Sequence, residues 1–95
     1  MQVIKYNKNE MWLMMDQEKQ KCRLRDLREN HNLTQREMAL EFNMSQTGYS
    51  KYETGENDIP TSILIKAAMF FDTSIDYLVG LTDEKRPYKR SLHWR

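Results

Sequence analysis

Residues 34–55 read TQREMALEFNMSQTGYSKYETG and contain two helix starts in quick succession. The first is Thr34-Gln35-Arg36-Glu37, a capping box. The Thr34 hydroxyl can accept from the Glu37 backbone N–H, and the Glu37 carboxylate can reach back to the N–H of Thr34. Met38, Ala39 and Phe42 follow at the spacing of one buried helix stripe. That helix is expected to end near Asn43, a residue that tolerates left-handed backbone angles. Only Met44 separates Asn43 from a second cap, Ser45, and a second short helix runs on to Glu53 with Tyr49 and Tyr52 facing inward. Gly55 suits a left-handed C-terminal cap.

Flanking segments supply the packing partners of this pair. From Asp16 the chain reads DQEKQKCRLRDLREN, good helix formers with Leu24 and Leu27 on one face, until Asn30, His31 and Asn32 break it. Beyond the pair, Ile59 precedes Pro60, which suits the first turn of a further helix carrying Leu64, Ala67, Ala68 and Phe71 on one side. Ser74 can cap a last short helix with Ile75 and Leu78, closed by Gly80. The expected fold is all-α, a compact five-helix domain. Residues 1–20 form an N-terminal extension, partly disordered or an added helix; residues 21–81 form the domain; residues 82–95 form an irregular basic tail.

Composition bounds the function. With 39% hydrophobic and 31% charged residues and a single cysteine in 95 residues, one small domain without an internal disulfide is expected, in a reducing cytoplasm. The apolar runs Met11–Met15 and Met69–Phe71 are far too short to span a membrane, and the amino terminus lacks a secretion-signal pattern. Cys22, His31 and His93 do not have metal-ligand spacing. Nucleophile elbows, phosphate-binding glycine loops and zinc-protease motifs are missing, so neither an enzyme nor a cofactor is expected.

Two short helices joined by a tight turn form a helix-turn-helix. The arrangement needs a small residue where the helices cross, here Ala39, and apolar residues that lock them, here Met38, Phe42, Met44, Tyr49 and Tyr52. Together with RLRDLREN before them and ILIKAAMFFDTSIDYLVG after them, these residues resemble the phage-repressor class of helix-turn-helix proteins: Cro-like, lambda-repressor-like or xenobiotic-response-element transcriptional regulators. The resemblance covers residues 21–81. It implies a homodimer on double-stranded operator DNA, with the helix at 45–53 in the major groove.

Carried over by position, the resemblance makes Gln46, Thr47, Ser50 and Lys51 the base-contacting face. Gln46 suits adenine, Thr47 a hydrogen bond or a thymine methyl, and Lys51 guanine or phosphate. Gln35, Ser45, Arg36 and Tyr49 are the phosphate-contacting candidates, Tyr49 as a phenol at the rim of the core. Arg28 and Glu53 match a family pair that links the first and third helices; otherwise both would sit in solvent.

Three positions depart from the pattern. Asn43 stands where glycine is usual, Gly48 lies inside the recognition helix, and Glu56-Asn57-Asp58 is acidic where phosphate-contacting lysines are common. Charge is uneven along the chain. Residues 1–30 carry seven Lys/Arg against five Asp/Glu, residues 31–81 three against seven, and residues 82–95 five against two. Lys19, Lys21, Arg23 and Arg25 near the first helix, with Lys85, Arg86, Lys89 and Arg90 in the tail, are then the remaining sources of positive charge.

The competing reading is an antitoxin-type interaction protein that neutralises a partner toxin and autoregulates its operon, using the flanks 1–15 and 88–95. A helical scaffold without DNA affinity is a third. A dimer surface could be the last helix near Tyr77 and Leu81, or the amino-terminal patch around Trp12 and Leu13.

Overall fold

The computed structural model describes residues 22–91. The readings made for residues 1–21, including Trp12, Leu13, Lys19 and Lys21, and for His93 lie outside them. Among the described residues there are five helices and no strand: α1 (Leu24–Asn30), α2 (Gln35–Glu41), α3 (Gln46–Thr54), α4 (Thr61–Phe70) and α5 (Ile75–Leu78). None is long and apolar enough to cross a membrane.

The helix starts form as the sequence predicts. Thr34 Oγ1 accepts from the Glu37 N–H at 3.0 Å, and the Glu37 carboxylate accepts from the Thr34 N–H at 2.9 Å. Ser45 and Ser74 cap α3 and α5 in the same way, each accepting at 3.0 Å from the N–H three residues on. Pro60 is the residue before α4 rather than part of its first turn, with φ −59° and ψ 150°.

One ending serves four of the five helices. The first residue past the cap takes a left-handed conformation, and two backbone N–H groups turn back onto the last turn of the helix. At the end of α2, Asn43 (φ 56°) donates to Leu40 O at 3.1 Å and Met44 to Ala39 O at 2.9 Å. Asn32 and Leu33 close α1 likewise, Asp72 and Thr73 close α4, and Gly80 and Leu81 close α5. Each such stop satisfies carbonyls that would otherwise be orphaned and reverses the chain within a few residues. Short helices can therefore pack around one core.

Asp72 is the least suited of these residues. It combines a Cβ at φ 52° with a negative charge at a helix C-terminus, where the dipole disfavours it. Asp72→Gly is expected to raise stability by about 1 kcal/mol, read as an increase in the urea midpoint; a decrease would contradict this account of the cap.

The core gathers Leu24, Leu27, Met38, Ala39, Phe42, Tyr49, Ala67, Ala68, Phe71 and Leu78. Each large side chain buried there contributes about 1.5–3 kcal/mol. The helices pack most closely as α2 on α3 and α4 on α5. Leu64, expected on the buried stripe of α4, is half-buried. Cys22 sits at the edge of the core, where burial pushes its thiol pKa up.

The segment after α5 is irregular, as its composition suggests, but it folds back on the domain. The Thr73 hydroxyl donates to Lys85 O at 2.6 Å, Tyr88 Oη to Asp76 Oδ2 at 2.5 Å, and Arg90 Nη2 to Thr73 O at 3.3 Å. Arg23 closes the same end. It donates to Tyr77 O and Thr82 O, pairs with Asp83 at 2.6 Å, and lies over the Tyr77 ring.

Candidate nucleic-acid interface

The site is built from the α2–turn–α3 unit outward. Ala39, buried at the base of α2, has no side chain beyond Cβ, which suits it to the closely packed α2–α3 pair. Gly48 serves the same junction. A Cβ there would meet Ser45 Oγ at 3.1 Å and the Met44 methyl at 3.2 Å. Its smallness thus makes room for the cap and the turn within the protein.

The polar centre of the unit is Glu53, near the end of α3. Its carboxylate receives Arg28 Nε at 2.6 Å and Arg28 Nη2 at 3.1 Å, from α1, and Gln35 Nε2 at 3.0 Å, from the start of α2. Arg28 also donates to Leu33 O at 2.8 Å. The side chains of Arg28 and Glu53 are only 11% and 3% exposed, so this pair does not sit in solvent. Three helices are fixed through one carboxylate. Burial alone would push the Glu53 pKa up, but Arg28, the nearby Tyr49 phenol and Gln35 outweigh it and hold it below the ordinary carboxylate range. The Arg28 pKa is raised, chiefly by its hydrogen bond to Glu53.

Around this centre the side chains divide by exposure. Gln46, Thr47 and Lys51 on α3 are exposed and Ser50 is half-buried beside them. Ser45 is exposed at the helix start; its Oγ accepts from Gly48, which leaves its own O–H free to donate. The N–H groups of Gln46 and Thr47 lie in the first turn and have no intrahelical acceptor. Arg36, in the first turn of α2, is exposed and makes no ion pair among the described residues. Gln35 is half-buried. One of its amide hydrogens is committed to Glu53 and the second remains available.

Tyr49 must be reassigned. It is 0% exposed and packs beside Phe42 in the core, so its phenol cannot reach a phosphate. The phenol oxygen is buried without a well-formed hydrogen bond. Burial, and then the Glu53 carboxylate, push its pKa up strongly, so it stays protonated. Tyr49→Phe is expected to change stability by less than about 1 kcal/mol and to leave DNA affinity unchanged. A tenfold loss of affinity in a stably folded variant would restore a phosphate role.

Three of the cations expected to face DNA have carboxylate partners in the fold. Arg23 is bound within the fold as described, and Arg25 lies 3.6 Å from Glu29. In the tail, Arg86 pairs with Glu84 at 3.0 Å. Neither the Gln35–Glu53 bond nor the internal role of Arg23 had a sequence signal, because each joins residues far apart in the chain. Among the described residues no group of His, Cys, Asp and Glu could hold a metal ion.

Comparison with known proteins gives the same assignment. Residues 24–78 match the family described as Helix-turn-helix. The chain is 37% identical to the uncharacterized HTH-type transcriptional regulator YobD of Bacillus subtilis (strain 168), over 76% of this chain and 74% of that protein. It is 43% identical to the cryptic phage CTXphi transcriptional repressor RstR of Vibrio cholerae serotype O1, over 70% of this chain and 61% of that protein. With the HTH-type transcriptional regulator ImmR of Bacillus subtilis (strain 168) it shares 34% identity, over 74% of this chain and 55% of that protein. The chain thus spans less than two thirds of RstR and of ImmR. No solved structure gave a significant match. The chain belongs to the helix-turn-helix family of Cro- and lambda-repressor-like DNA-binding transcriptional regulators.

Proposed function

We propose that this protein is a homodimeric repressor that reads a pseudo-palindromic operator in the cytoplasm, placing α3 of each protomer in the major groove. The observation that carries this reading is the contrast along α3. Its inner side is held to α1 and α2 through Tyr49 and Glu53, while Gln46, Thr47 and Lys51 are left exposed. A helix fixed in this way presents its outer side chains at a constant angle, which base readout requires. Two such helices on a two-fold dimer would lie about 34 Å apart, one turn of DNA.

Phosphate contacts in this reading come from Ser45, the N–H groups at the start of α3, the second amide hydrogen of Gln35, and Arg36. Most of these are neutral donors. The acidic loop Glu56-Asn57-Asp58 adds no cation. With Arg36 and Lys51 of each protomer as the cations beside the groove, the slope of log K against log salt is expected at about −4 for the dimer. Hydroxyl-radical footprinting on a bound site should show two protected segments one turn apart on the same DNA face. A slope of about −8 or steeper, or a single unpaired footprint, would overturn this arrangement.

A further inference from the structure

The face formed by α4, α5 and the returning tail holds a cleft of about 430 Å³, within the range of small-molecule sites. Ile65, Ala68 and Met69 of α4 and Ile75 of α5 line it, and Lys89 and Arg90 of the tail border it. We propose that it is a binding site for a free amphipathic carboxylate: an acid whose apolar body lies on the α4–α5 floor and whose carboxylate meets Lys89 and Arg90.

The charges favour an anion. Lys89 has no ion pair or hydrogen bond among the described residues. Arg90 spends one N–H on Thr73 O and keeps its other donors. Asp76, which also lines the cleft, accepts from the Tyr88 hydroxyl at 2.5 Å and keeps its charge, so two cations stand against one anion. The local balance at the mouth is therefore cationic, above an apolar floor with Met69 45% exposed.

The layout also favours a free acid over a bilayer lipid. A free acid can enter chain first and leave its carboxylate at the two cations. A lipid held in a bilayer keeps its chains in the membrane and offers only its head group. Because the cations belong to the tail and the floor to the helices, such a ligand would join the two and stabilise the fold by linkage. Neither α3 nor the Glu53 centre contributes to the cleft, so the proposal stands apart from the DNA reading.

The test is a titration of the full chain with sodium decanoate, followed by amide NMR shifts, with decanol and decyltrimethylammonium as matched controls. Saturable shifts centred on Ile65, Ala68, Met69 and Ile75 are expected, with weaker binding of decanol and none of the ammonium. Lys89→Met should weaken decanoate binding by about fivefold, and Lys89→Glu by more. Met69→Glu, which places a carboxylate beside the floor at an exposed position, should abolish it. The proposal fails if decanoate gives no saturable shifts there, if the ammonium binds equally well, or if Lys89→Glu has no effect. Binding to anionic phospholipid vesicles without binding of free decanoate would also overturn it.

Discussion

Arg28→Met is expected to lower folding stability by about 3–5 kcal/mol, one of the largest effects available in this domain. Methionine keeps most of the apolar stem but leaves the Glu53 carboxylate, 3% exposed, without its cation. Removing one member of a buried pair costs far more than the pair contributes, because the remaining charge stays desolvated. The double variant Arg28→Met/Glu53→Met should recover most of the loss, since replacing both partners removes the buried charge. Urea unfolding of the three proteins measures this directly. A loss below about 1 kcal/mol for the single variant would fit a surface pair and would contradict the buried geometry.

The same pair sets a pH signature. In the native protein the Glu53 pKa lies below its unfolded value. In acid the unfolded chain therefore binds more protons, and stability rises with pH. This contribution is fully present above the ordinary carboxylate pKa and is lost as pH falls through the folded pKa of Glu53. In Arg28→Met the sign should reverse. The carboxyl is then buried without a cation, its folded pKa rises above the unfolded one, and acidification stabilises it over that window. Urea midpoints from pH 3 to 7 for both proteins distinguish these slopes.

The second large effect concerns recognition. Gln46→Ala and Thr47→Ala should each cost about 1–3 kcal/mol of binding to the preferred sequence, and together at least about thirtyfold in affinity. Both side chains are exposed and absent from the core, so stability should change little. Affinity for unrelated DNA should hold, because phosphate contacts carry most of it. Lys51→Ala should weaken specific and unrelated DNA together if Lys51 contacts phosphate, but specific DNA alone if it contacts guanine. Unchanged sequence preference in both the Gln46 and Thr47 variants would remove them from the reading face.

The sequence made local features legible and left distant ones hidden. Thr34 with Glu37 and Ser45 with Gly48 interact across three residues, so their caps could be read from spacing. Asn43, Gly55 and Gly80 could be read because their residue types favour left-handed backbone angles. Asn32 and Asp72 adopt the same conformation. Asn32 is legible only as one of three residues that break the first helix, and Asp72 before a threonine carries no such mark, because neither residue type fixes where a helix stops. The spacing of Tyr49 sets it on the inner face, while a phenol at the rim would suit a phosphate; full burial of its ring decides for the core.

The tail illustrates the limit more sharply. Its basic, proline-containing composition suggests only an irregular end, and its backbone is irregular. What holds it is a set of contacts across long separations: Arg23 with Thr82 and Asp83, and Thr73 with Lys85. No periodicity marks such contacts. The outer face of α3, the proposed reading face, is the opposite case, since exposure of Gln46, Thr47 and Lys51 follows from helix geometry once Tyr49 and Tyr52 face inward.

The most direct measurement is selection of bound sequences from a randomised duplex pool with purified protein at near-physiological salt. An inverted repeat with half-sites one turn apart is the expected outcome, its preferred bases shifting when Gln46 or Thr47 is replaced by alanine. Recovery of no enriched sequence, or of one asymmetric half-site, would contradict a dimer that reads DNA through α3.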